Sequence, residues 1–252
     1  MVAGGSGVND FSRALVYLND PLNWTRTDGT GILDLLVEHL LICVVAVLLG
    51  AVVALPAGIA MGHSGRGGGF VVALSNVSRA VPTLALLTIF AVTPIGFGDR
   101  AVTIALAVFA IPPMLTNTYV GFREVDPDVR EAARAMGMST GQVISRAELP
   151  LALPLLMTGI RTATVQVVAT AGLAALVGGG GLGTLINLGF GQQDYGLMIA
   201  GAILVAGLAL LVQGLLSLLS WGVTPGPRRL PFRGRRPAAA VPEEPVAAGV
   251  PL

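Results

Sequence analysis

Residues 126–150 read DPDVREAARAMGMSTGQVISRAELP. Acids and bases crowd this stretch, yet long apolar runs flank it on both sides. Hydrophobic residues make up 54% of the chain and charged residues 12%. A soluble domain carries about 25% charge. Half that proportion, gathered outside apolar runs of about 20 residues, marks spanning helices rather than an apolar soluble core. The sequence predicts an all-α membrane protein with about five transmembrane helices.

The spans run from about His39 to Met61, Phe70 to Val92, Ala101 to Phe122, Leu151 to Val177 and Leu197 to Trp221. At 1.5 Å per residue, each reaches across a hydrocarbon core of roughly 30 Å. Prolines 56, 82, 112, 113 and 154 fall in or at the ends of these spans. Such breaks are tolerated where neighbours or a wet cavity satisfy the freed carbonyls.

Arginine placement predicts the orientation. All 15 basic residues are arginine. With the N-terminus outside, the inner segments hold Arg66, then Arg123, Arg130, Arg134 and Arg146, then Arg228, Arg229, Arg233, Arg235 and Arg236. Only Arg13, Arg26 and Arg100 fall outside, an asymmetry that favours N-out and C-in. Residues 1–30 then form an extracytoplasmic segment, 31–222 the transmembrane domain with a charged loop at 123–150, and 223–252 a disordered cytoplasmic tail rich in Pro, Ala and Arg. The N-terminus lacks the basic and apolar signature of a signal peptide. YLNDPLNW at 17–24 reads either as a short interfacial segment or as an unstructured tail.

Within 126–150 the residues spell two short helices with a bend. Asp126 caps the first, Pro127 suits its first turn and Asp128 complements the dipole. The helix stops at Gly137, which suits a left-handed position. Ser139 and Gln142 match a capping box for the second helix, which Pro150 halts at the membrane boundary. Ala132, Ala133 and Ala135 let a partner backbone approach closely, and Arg130, Glu131 and Arg134 supply directional polar contacts. This is a docking surface more than a catalytic one; an ordinary amphipathic loop is the plainer alternative.

The spelling EAARAMG…LP resembles the EAA loop of permease subunits in binding-protein-dependent ABC importers. Glu131, Ala132, Ala133, Gly137, Leu149 and Pro150 occupy the motif positions, and Ala147 stands where the family has an aliphatic residue. The resemblance implies a methionine-importer-like fold in the bacterial cytoplasmic (inner) membrane, with the coupling loop between the third and fourth spans. It also implies the partners: cytoplasmic ABC ATPase subunits that hydrolyse ATP, a second permease (identical or a sister chain), and an extracytoplasmic substrate-binding protein. VPTLALLTIF (81–90), IPPMLTNTYVGF (111–122) and residues 148–186 are similar to the osmoprotectant branch, which imports glycine betaine, carnitine and choline. Relatives carry an uncharged polar residue near Arg79.

Polar residues inside the spans are the pathway candidates: Asn76, Arg79, Asn117, Arg161, Thr164 and Gln166. An intramembrane base needs a partner or a wet cavity. Arg161 either lines the pathway or caps a carbonyl at the kinked helix. Arg79, three residues before Pro82, invites the same two readings. A cationic pathway does not attract a quaternary ammonium, but it pairs with a carboxylate such as that of betaine. Interhelical hydrogen bonding explains the uncharged candidates equally well.

GGGGLG (178–183) contains G-x-G-x-x-G but follows an apolar span, so it reads as a loop near an outer gate rather than a dinucleotide site. No Walker A motif, metal-ligand cluster or catalytic constellation is spelled out, so the chain is expected to bind no cofactor or metal and to have no ATPase site of its own. His63, in a Gly-rich loop, reads as solvated. No feature calls for nucleic acid; membrane lipid is the surrounding partner. An importer of the same architecture for an amino acid is the nearest rival. An ATP-independent secondary transporter or channel is the rival of another class.

Overall fold

The computed structural model describes residues 9–25 and 28–223. Arg26 and the arginine-rich tail from residue 224 onward lie outside the described residues. Among those described, every regular element is helical. Four helices are long and apolar enough to cross a membrane: α2 (Ile32–Ser64), α5 (Asp99–Arg123), the rod Thr140–Ala171, and α10 (Tyr195–Val223). A fifth crossing is bent: α3 (Gly68–Ala80) and α4 (Thr83–Ala91) meet at 88°.

The second expected span, about Phe70 to Val92, is this bent pair, broken at Pro82. Pro82 excludes Val81 from the helical region, and Val81 is extended at φ −80°, ψ 120°. The 13 residues of α3 reach about 20 Å, short of the hydrocarbon core, so the corner falls inside the membrane.

α2 and α5 form the centre of the bundle, and α8 (Leu149–Ala171) packs against both. Small buried residues recur every fourth position along α2: Ala46, Gly50, Ala54, Gly58 and Gly62. They bring the α2 backbone against α5. A Cβ on Gly58 would sit 2.7 Å from Thr118 Cβ, and one on Gly62 would sit 2.6 Å from Phe122 Cβ. Without a hydrophobic force between helices in lipid, such close backbone approach is what drives association. His39, buried on α2, adds a polar tie across the bundle, its Nε2 lying 3.0 Å from the Val168 carbonyl of α8.

Residues 9–25 form regular structure. α1 (Asp10–Asn19) packs on α10, and Asn9 caps it by accepting from the Ser12 N–H at 2.8 Å. Trp24 then folds back, its Nε1 donating to the Leu18 carbonyl at 2.8 Å. The segment YLNDPLNW is thus a hook held by its own side chains. α9 (Gly183–Gln192) lies beside α10.

Candidate coupling segment and translocation cavity

The charged loop 123–150 caps the end of the bundle where α2 and α5 finish and α8 begins. Its first helix, α6 (Pro127–Ala135), starts as the sequence dictates, with Asp126 accepting from the Asp128 N–H at 2.9 Å. Gly137 follows at φ +82°, the left-handed position its chemistry permits. The next helix opens with Gln142 accepting from the Ser139 N–H at 2.8 Å.

Pro150 does not stop that helix. α7 (Thr140–Gln142) passes through a π-helical turn at Val143–Glu148 directly into α8, forming the rod Thr140–Ala171. The wider turn, in which the Leu149 N–H reaches the Ile144 carbonyl, carries the chain past a proline that has no N–H to give. The second helix of the loop is therefore continuous with the fourth span.

A buried ion cluster locks this end. Glu148, fully buried at the close of the π turn, has its Oε1 2.6 Å from Arg130 Nε on α6 and its Oε2 2.7 Å from His63 Nδ1 at the end of α2. The arginine contact is a close ion pair rather than an aligned hydrogen bond. Arg130 also donates to the Phe122 carbonyl at the end of α5. One carboxylate thus gathers α2, α5, α6 and α8, and a buried carboxylate persists only with such partners. His63 is therefore not a solvated loop residue. Arg130 turns inward, away from any docking partner.

The remaining motif residues divide by face. Ala133 is buried against the chain itself and Leu149 packs on Phe122, Ala152 and Leu156. Glu131, Ala132 and Gly137 are exposed, as is Pro150. Arg134 and Ala135 are exposed beside them, and so are the apolar side chains of Val129 and Met136.

At the opposite end, the glycine-rich loop is pinned by two carboxylates. Asp99 accepts from the Gly180 N–H at 2.9 Å and Glu38 accepts from the Gly181 N–H at 2.7 Å. Gly181 has φ +83°, and a Cβ on Gly180 would fall on the Glu38 carboxyl group. The loop is a fitted closure between α2, α5 and α8, not a nucleotide cradle.

Between the two ends, a cavity of about 340 Å³ opens beside the α3–α4 corner. It brings together three of the pathway candidates, Arg79, Asn117 and Gln166, with Thr116 and Thr162. Asn76, Arg161 and Thr164 do not line it. Arg161 donates to Ser217 Oγ at 3.2 Å, tying α8 to α10, and Thr164 donates to the Ile160 carbonyl of its own helix at 2.8 Å. No group of three potential metal ligands occurs among the described residues.

Residues 46–224 match the family of binding-protein-dependent transport system inner membrane components. The chain belongs to that family. Among curated relatives, the permease subunit is 35% identical over 208 residues to the glycine betaine/carnitine/choline transport system permease protein OpuCB of Bacillus subtilis, covering 82% of this chain and 95% of the relative. It is 40% identical over 188 residues to the carnitine transport permease protein OpuCB of Listeria monocytogenes, covering 75% and 86%. Among solved structures, the MetNI methionine ABC transporter in an inward-facing conformation superposes with a TM-score of 0.66 at 26% identity, covering 80% of this chain and 100% of that one. The permease subunit is thus a multi-pass protein of the bacterial inner membrane, with the all-helical architecture its apolar runs predict.

Glu148 was not singled out in the sequence, and His63 was expected to be solvated; the structure buries both in one ion cluster. A lone acid at the start of a span was the available signal.

Proposed function

We propose that the chain is the translocating subunit of an ATP-driven importer for quaternary ammonium compatible solutes: glycine betaine, carnitine and choline. The observation that carries the transport class is the segment 126–150, with its exposed Glu131–Ala132 face and its direct continuation into α8. The names of the curated relatives support the cargo.

In this reading the charged end faces the cytoplasm and the N-terminus lies outside, as the arginine distribution favours. Two permeases form the pathway, two cytoplasmic ATPases dock on the coupling segments, and an extracytoplasmic binding protein delivers the solute. ATP is hydrolysed by the ATPases, and this chain holds no cofactor. Closure of the ATPase pair displaces α6. The Glu148 cluster passes that displacement to α2 and α5, and the π turn passes it to α8, switching the pathway between inward- and outward-facing. Arg79, Asn117 and Gln166 line the route. Asn76, Arg161 and Thr164 support it from neighbouring positions.

The test is uptake of labelled glycine betaine at high osmolarity in cells lacking other betaine importers, with and without this gene. Loss of uptake that the intact gene restores is the expected result. Unchanged uptake overturns the cargo. An amino-acid importer is the second reading, supported by the likeness to the methionine transporter, so labelled methionine uptake is measured in parallel.

A further inference from the structure

The cavity beside the α3–α4 corner has a one-sided chemistry. Arg79 lines it and makes no ion pair with any described residue. No acidic side chain lines it. Thr83, at the first turn of α4, also lines it, and that helix begins at Pro82 without a side-chain cap. The N-terminus of α4 therefore brings free N–H groups and the positive end of its dipole to the same corner. The Thr116 hydroxyl, buried at the wall, has no hydrogen-bond partner. Arg79 and the helix N-terminus both favour an acceptor with negative charge. Phe109 contributes an aromatic ring to the lining, a surface that attracts a cation once the charge beside it is balanced.

The depth suits a solute in transit. Arg79 is about 17 Å along α3 from Gly68, and Thr162 is about 20 Å along α8 from Leu149, both well inside a hydrocarbon core of roughly 30 Å. A broken membrane helix whose N-terminal end meets a substrate carboxylate is an economical way to hold an anion in lipid. The cavity's volume of about 340 Å³ lies at the lower end of small-ligand sites.

We infer that this cavity is a transit site reading the carboxylate of a zwitterionic quaternary ammonium solute, anchored by Arg79, with Phe109 beside the ammonium group. Glycine betaine and carnitine carry that carboxylate and choline does not, so the permease itself discriminates against choline. The inference rests on the proposed cargo class and adds to it a selectivity that resides in the membrane rather than in the binding protein.

The experiment is uptake of labelled glycine betaine and choline by proteoliposomes containing the complete transporter and its binding protein. Wild type is compared with Arg79→Gln and, as an independent perturbation of the same corner, Ser78→Asp. The binding protein's own preference cancels in the comparison. Both variants are expected to lower the ratio of betaine to choline uptake at least fivefold, while Arg79→Lys stays nearer to wild type than Arg79→Gln. A ratio that falls less than fivefold in the variants that assemble overturns the inference and leaves the proposed function standing. A wild-type transporter that imports no quaternary solute overturns both.

Discussion

Glu148 ties the charged end of the bundle together from inside. Its carboxylate meets Arg130 and His63, whose side chains are only 12% and 15% exposed. Glu148→Ala leaves two cationic or polar groups facing an empty space, and breaking a buried pair in this way costs about 3 kcal/mol. The expected outcome is a lower midpoint of thermal unfolding in detergent, partly restored when Arg130→Met is added. An unchanged midpoint in Glu148→Ala contradicts the assignment. Little of this was legible beforehand. His63 and Glu148 are 85 residues apart in the chain, and only the packing of α2 on α5 brings them into register. The capping residues were legible because their chemistry is local: Asp126, Gly137 and Gln142 each act within three residues of their own position.

At the scale of the element, two helices carry separate predictions. For α2, Gly62→Val drives a side chain into Phe122 and Tyr119 and is expected to weaken the bundle. Gly69→Val, with nothing within 4 Å of the added Cβ, serves as the matched control. Detergent melting of both variants checks the contrast, and equal behaviour sinks the role given to the small-residue stripe. For α6, Gly137 has open space around it but a φ of +82°, so a bulky residue there strains the backbone alone, by about 1–2 kcal/mol. Gly137→Val and Glu131→Arg are expected to abolish coupled uptake while the ATPases still hydrolyse ATP and the protein still inserts. Full uptake in both contradicts the coupling role. Hydropathy located the second span but not its 88° break, because an apolar run has no direction. Pro82 signalled the corner, yet the angle depends on what α3 and α4 pack against. The π turn before Pro150 was hidden for a related reason, since a proline that follows a helical run ordinarily ends it.

Across the whole molecule, the two ends of the bundle have different work. One end is locked by Glu148 and presents α6, and the other is closed by a glycine loop tied to Glu38 and Asp99. The family match ends at residue 224, so removing residues 226–252 is expected to leave uptake within about twofold of wild type. A truncated protein that reaches the membrane but does not transport contradicts that. The apolar spans and the charged segment between them were readable from composition and period, because the bilayer imposes both. Which polar residues share a cavity was not, because Arg79, Asn117 and Gln166 come from three different helices.

The central claim is that 126–150 is the surface on which the ATPase acts. The chain's one cysteine, Cys43, is buried at 2% exposure, so an introduced thiol is the only one a short cross-linker meets on this subunit. Ala132→Cys on the exposed face of α6 is compared with Gln192→Cys, exposed at the end of α9, in the assembled transporter. The account predicts a cross-link to the ATPase from Ala132→Cys and none from Gln192→Cys. A cross-link from Gln192→Cys alone contradicts both the docking surface and the orientation of the bundle.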